Sequence, residues 1–250
     1  MTYEIWLYAL ISVLIVSLIS LIGIFTFSIK AKKLKSFLIY MIAFSAGALF
    51  GDAFLHLLPE LVEENGFTIT VSSFVLVGIG LFFIIEKIIH WQHCHMPISG
   101  EHVHPFAIMN LIGDGVHNFI DGLIIGVSYI ISIPVGIATT LAVALHEIPQ
   151  EIGDLGVLLH GGFSKEKALA VNFLTALGAI IGAVIALFAH TYFENIGLYL
   201  IPIAVGGFIY IAGSDLIPEL HKEFTVKKAI LQLIAFTAGI LVMAALLLLE

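Results

Sequence analysis

The chain has no arginine, a single cysteine and few charges of either sign. Charged residues make up 11% of its 250 positions, where a soluble domain has about a quarter. One thiol, Cys94, excludes an internal disulfide framework. All ten basic residues are lysines, and none falls in the middle of an apolar run. That argues against a site for anions or organic acids, and no nucleic-acid partner is expected. What the chain has instead is hydrophobicity: 60% of residues are apolar and the mean hydropathy is +1.11. These values describe an integral membrane protein. The first apolar run is too long for the core of a signal peptide, and Glu4 precedes it without a basic flank. It reads as a retained transmembrane helix. The formal net charge of −8 is not that of an acidic soluble surface, because much of the acid lies inside apolar segments.

A membrane crossing needs about 20 apolar residues. Eight such spans are predicted, at about 5–29, 37–59, 69–89, 105–129, 134–160, 166–190, 197–220 and 228–249. The fold class is all-α, within one transmembrane domain over 1–250. With eight spans, Lys30, Lys32, Lys33, Lys35, Lys87, Lys165, Lys167, Lys222, Lys227 and Lys228 all fall on one side. An odd number of spans would scatter them over both. The positive-inside rule makes that side cytoplasmic and puts both termini outside.

Spans 2 and 7 share the pattern L-x-P-E-L, at Leu57–Leu61 and Leu216–Leu220, 159 residues apart. The same offset carries span 1 onto span 6 and span 3 onto span 8. A shift of five spans reverses direction across the bilayer. An inverted repeat in a 3+2+3 arrangement is therefore expected, with spans 4 and 5 at its centre, where transporter sites sit.

The polar residues concentrate in that central pair. Span 4 holds Asp114, His117, Asn118 and Asp121; span 5 holds His146, Glu147, Gln150, Glu151 and Asp154. An ionisable group at membrane depth costs about 2.5–3.5 kcal/mol on insertion scales, so such groups face partners. Helical spacing places His117 with Asp121, Asp114 with Asn118, and His146 with Gln150 and Asp154; Glu147 and Glu151 form the adjacent stripe. Imidazole and carboxylate together suit Zn²⁺, Fe²⁺ or Mn²⁺. Pro149 frees the carbonyl of Leu145, and Gly122, Gly126 and Gly153 are expected to add local freedom. A membrane metal sensor, a proton relay and an intramembrane metalloprotease are the rival readings. The protease motif H-E-x-x-H would need a second histidine where this chain has Gln150, so no enzyme is expected.

At these residues the sequence resembles the Zrt/Irt-like (ZIP) family of divalent metal transporters. Span 4 reads HNFIDG, where the family has H-N-F-x-(D/E)-G. Span 5 reads HEIPQEIGD, similar to the H-E-x-P-H-E-x-G-D of one large branch. HLLPE in span 2 and GGFIYIAGSDLIPEL in span 7 also look like the family's. The resemblance implies a two-metal-capable site between spans 4 and 5. His117, Asp121, His146 and Gln150 match its primary site; Asn118 and Glu147 match the second, with Gln150 at the bridging position. Asn172 stands where some members place another ligand. Gln150 departs from the branch's histidine, which weakens the second site. Glu151 lies about 100° further round the helix and does not replace it. A homodimer and an elevator-like movement are also implied, with zinc, iron, manganese or cadmium as the transported ion.

Flanking polar residues outline a path. His56 and Glu60, with Glu63 and Glu64 beyond, are candidates for an outer entrance; Asp215, Glu219 and His221 are candidates for an inner exit. The segment 90–104 carries His90, His93, Cys94, His95, His102 and His104, a composition that suits a cytoplasmic metal-binding loop. His160, His190 and Asp52 have no assigned role, His190 reading as a helix-end residue.

Overall fold

The computed structural model describes residues 3–26, 31–90, 105–193, 197–221 and 225–249. His93, Cys94, His95, His102 and His104 lie outside the described residues, and so do the side chains of Glu64, His90, His160 and Asp215.

Among the described residues the chain is all-helical. Six helices are long and apolar enough to cross a membrane: α1 (Tyr3–Phe25), α2 (Phe37–Glu63), α3 (Ile69–Ile88), α6 (Lys165–Tyr192), α7 (Gly197–His221) and α8 (Val226–Leu246). That is the make-up of a multi-pass membrane protein. Between α3 and α6 stand α4 (Pro105–Ile131) and α5 (Ile133–His160), 27 and 28 residues long, which carry the concentrated polar residues.

Local chemistry sets the helix starts. The Val135 N–H donates to Ser132 Oγ, Lys167 N–H to Ser164 Oγ and Lys228 N–H to Thr225 Oγ1. Each is an N-cap satisfying one of the donors that a first turn leaves free. Pro134, in the first turn of α5, costs no helical hydrogen bond there.

The helices sort into two groups by contact. In the first, α1, α4, α5 and α6 pack on one another; in the second, α2 lies along α8, α3 along α7, and α2 meets α7. The groups touch chiefly where α2 crosses α5 and where α3 and α7 flank α4. Small residues allow the closest approaches, as in membrane bundles generally. A Cβ on Gly122 would lie 1.9 Å from the Ala179 carbonyl oxygen, and one on Gly182 would lie 2.0 Å from that of Phe119. Gly122 is thus a packing residue that seats α4 against α6, not a source of local freedom.

Two helices widen into six-residue π-helical segments, α2 at Asp52–Leu57 and α7 at Ile211–Leu216, 159 residues apart. α2 packs along α8 and α3 along α7, and positions 159 apart pair α2 with α7 and α3 with α8 in the sequence. Gly47 would place a Cβ 2.0 Å from the Phe236 carbonyl oxygen, and Gly206, its counterpart, 2.2 Å from that of Val75. Ser17 Oγ donates to the carbonyl of Ala176 at 2.7 Å, again across 159 residues.

Candidate metal site

His117 and Asp121 project from consecutive turns of α4, and His146 and Glu147 from neighbouring positions of α5. One donor atom from each lies within 4.8 Å of all the others. His117 Nε2 is 3.7 Å from Asp121 Oδ2 and 3.5 Å from Glu147 Oε1. His146 Nε2 is 3.2 Å from Asp121 Oδ2 and 3.7 Å from Glu147 Oε1. The two Nε2 atoms are 3.2 Å apart. In a tetrahedral zinc site, bonds of about 2.0–2.1 Å place neighbouring donors about 3.3–3.4 Å apart. The four side chains already stand near that spacing.

Second contacts fix the donors' orientation. His146 Nδ1 faces the Ala142 carbonyl at 3.3 Å. A carbonyl only accepts, so the tautomer that makes this bond carries its proton on Nδ1 and leaves the Nε2 lone pair free for a metal ion in the cluster. Phe208 of α7 packs edge-on against the same ring, with centroids 6.4 Å apart. Asp121, His146 and Glu147 are wholly buried, while the side chain of His117 is 16% exposed. Both oxygens of Asp121 and of Glu147 lack an oriented hydrogen-bond partner among the described residues. Buried polar atoms normally have partners. Two carboxylates with two neutral imidazoles balance a divalent cation, which makes burial of the assembly tolerable.

A second polar layer surrounds this group. Asn118 Nδ2 donates to Asp114 Oδ1 at 2.9 Å, and Asn110 Nδ2 to Asp154 Oδ1 at 2.9 Å. From α6, Thr175 Oγ1 donates to Asp114 Oδ2 and Asn172 Nδ2 to Glu151 Oε2. Glu151 Oε1, Asn118 Oδ1 and Asn172 Oδ1 are buried without hydrogen-bond partners among the described residues. A cavity of about 270 Å³ reaches His117 and is lined by Glu86, Asn110, Asp114, Gln150 and Asp154 among others. Tyr210 of α7 donates to Glu86 of α3 on its wall.

The sequence-derived residues therefore separate. His117, Asp121, His146 and Glu147 converge; Gln150 and Asp154 line the adjoining cavity; Asn118, Asp114, Glu151 and Asn172 belong to the second layer. His56 is buried in the π-helical part of α2, where its Nε2 lies 2.9 Å from the Met243 carbonyl of α8. Glu60 and Glu219 are half-buried near the ends of α2 and α7, and Asp52 is buried. Asn110, Thr175 and Glu86 complete the surroundings without having been singled out by sequence. Asn110 lies one turn before Asp114 and Thr175 nearly one turn after Asn172, so helical spacing could have found both. Glu86 had a simpler signal, an acid inside an apolar span.

The model of the family described as ZIP zinc transporter matches residues 3–107 and 92–247. The chain is 30% identical over an alignment of 300 residues to zinc transporter zipt-7.2 of Caenorhabditis elegans, covering 96% of this chain and 65% of that protein. It is 32% identical over 222 residues to zinc transporter ZIP13 of Pongo abelii, covering 81% of this chain and 65% of the relative. To zinc transporter SLC39A7 of Mus musculus it is 25% identical over 331 residues, covering 97% and 70%. The chain thus spans about two thirds of the length of these relatives. With nearly its whole length matched by the family model, and HNFIDG and HEIPQEIGD at the helices that build the cluster, the chain belongs to the ZIP zinc transporter family.

Proposed function

We propose that the chain is a secondary transporter that moves divalent transition-metal ions, zinc foremost, across the membrane into the cytoplasm. The observation that carries this reading is the buried cluster of His117, Asp121, His146 and Glu147, with donors 3.2–3.7 Å apart on five of its six edges. Two nitrogens and two oxygens form a borderline-soft set that accepts Zn²⁺ and also Fe²⁺, Mn²⁺ and Cd²⁺. No cysteine belongs to the set, which favours exchange over permanent holding. The layer at Asn118, Glu151 and Asn172, with Gln150 beside it, forms a weaker second position. Ligands bind metal only when deprotonated, so protons compete with the cargo.

In this reading all eight helices cross a cell membrane, both termini lie outside, and the two halves form an inverted repeat about α4 and α5. The cavity that runs from His117 past Asp114 and Asp154 to Glu86 opens toward the lysine-bearing, cytoplasmic side. The loop at 90–104 buffers or senses metal there, and two copies associate as a homodimer. His56, Glu60, Asp215 and Glu219 flank the path as accessory positions.

The test is zinc uptake into vesicles holding purified protein, wild type against His146→Ala. Loss of uptake supports the site; unchanged uptake overturns it. Metal binding without net flux would make the chain a sensor instead.

A further inference from the structure

Pro149 has no N–H, so the carbonyl of Leu145, four residues back, loses its helical partner. That carbonyl belongs to the residue before His146. The structure shows what occupies it. Ser45 of α2, completely buried, donates its hydroxyl to the Leu145 carbonyl at 2.6 Å. The same oxygen lies 2.8 Å from the carbonyl of Met41, one turn back on its own helix. A serine has one hydroxyl hydrogen, so two carbonyls compete for it.

The bond also crosses between the two helix groups. Ser12 with Tyr129, Asn110 with Asp154, Asn172 with Glu151 and Thr175 with Asp114 stay within the group of α1, α4, α5 and α6. His56 with Met243 and Tyr210 with Glu86 stay within the other. Ser45 with Leu145 joins one to the other at the turn that carries a metal donor.

We propose that Ser45 is a positioning residue for the metal site. By taking the carbonyl that Pro149 sets free, it fixes the turn of α5 bearing His146 against α2. The arrangement is also releasable: if α5 moves away, the hydroxyl turns back to Met41, an ordinary bond for a serine within a helix. Only the Leu145 carbonyl is then left to find water. Proline and serine thus work as a pair. An amide at position 149 would satisfy Leu145 internally, and α5 would no longer depend on α2 at this point.

The inference rests on the reading of the His146 cluster as the transport site, and the experiment separates the two. Zinc binding to purified full-length protein is measured by calorimetry for wild type, Ser45→Ala, Pro149→Ala, the double variant and His146→Ala. Thermal melting of the metal-free proteins reports on folding. Ser45→Ala is expected to weaken zinc binding about fivefold, the equivalent of one hydrogen bond. In the Pro149→Ala background the restored N–H serves the Leu145 carbonyl. There Ser45→Ala is expected to cost nothing further, a non-additivity that a general packing defect would not produce. If His146→Ala abolishes binding while Ser45→Ala has no effect, or has the same effect in both backgrounds, the positioning role is overturned and the site stands. If His146→Ala binds zinc as wild type does, the site reading falls and the inference with it.

Discussion

His146 Nε2 of α5 lies 3.2 Å from Asp121 Oδ2 of α4, while the opposite ring nitrogen is occupied by the Ala142 carbonyl. The imidazole is oriented from behind by its own helix and aims its other nitrogen at a carboxylate of the next. The same carboxylate oxygen lies 3.7 Å from His117 Nε2 and has no oriented hydrogen bond among the described residues. Replacing His146 by alanine removes the donor that all the others approach. Zinc affinity is expected to fall at least about 100-fold, beyond the 10–100-fold typical of a lost supporting contact. Calorimetry on the purified protein measures it directly.

Glu147→Gln keeps the shape of the side chain but removes one of the two charges that balance the cation. Binding and uptake are both expected to drop by more than tenfold. A hydrolase whose glutamate served only as a base would keep its metal under this change. Retained affinity in Glu147→Gln would therefore reopen the enzyme reading.

Gln150 lines the cavity beside His117. Gln150→His supplies a third imidazole at that wall. Equilibrium zinc binding is expected to tighten about tenfold, one stronger ligand replacing a weak amide. Saturating uptake is expected to slow, because release becomes harder. Affinity and maximal rate, measured on the same preparation, should move in opposite directions.

Metal binding to the folded state alone stabilises it. Free zinc at one hundred times its dissociation constant is expected to contribute about 2.7 kcal/mol. The melting temperature of wild type in detergent should rise with zinc and return with chelator. In His146→Ala it should stay flat.

Gly47 and Gly206 let helices touch at backbone distance. Alanine at either would drive a methyl group to within 2.0 or 2.2 Å of a carbonyl oxygen. Each substitution is expected to cost about 1–3 kcal/mol. Gly80, where a Cβ meets nothing within 4 Å, is the control and should melt as wild type does.

Much of the architecture was legible because length and hydropathy determine it directly. The expected spans at 105–129 and 134–160 fall on helices Pro105–Ile131 and Ile133–His160, and acidic residues in apolar runs marked the helices that build the cluster. The composition of the cluster was harder. Helical spacing groups His146 with Gln150 and sets Glu147 on the next stripe. In the structure it is Glu147 that reaches both imidazoles, because a flexible glutamate spans the 100° between adjacent positions. The widening of α2 and α7 left no residue pattern to read, since a π-helical turn reflects how the backbone is packed as much as which residues it contains. Ser45 was invisible for a similar reason. Its role depends on α2 meeting α5 at one carbonyl, a tertiary fact; the freed carbonyl itself was announced by Pro149.

The four donors are not equally accessible. His117 is partly exposed and lines the cavity, whereas Asp121, His146 and Glu147 are sealed from solvent. In the proposed transport site, water from that cavity would reach the ion past His117. On that reading His117 would be the first donor displaced on this face and the last regained. The lifetime of a bound ion would then depend first on the one donor that solvent can reach.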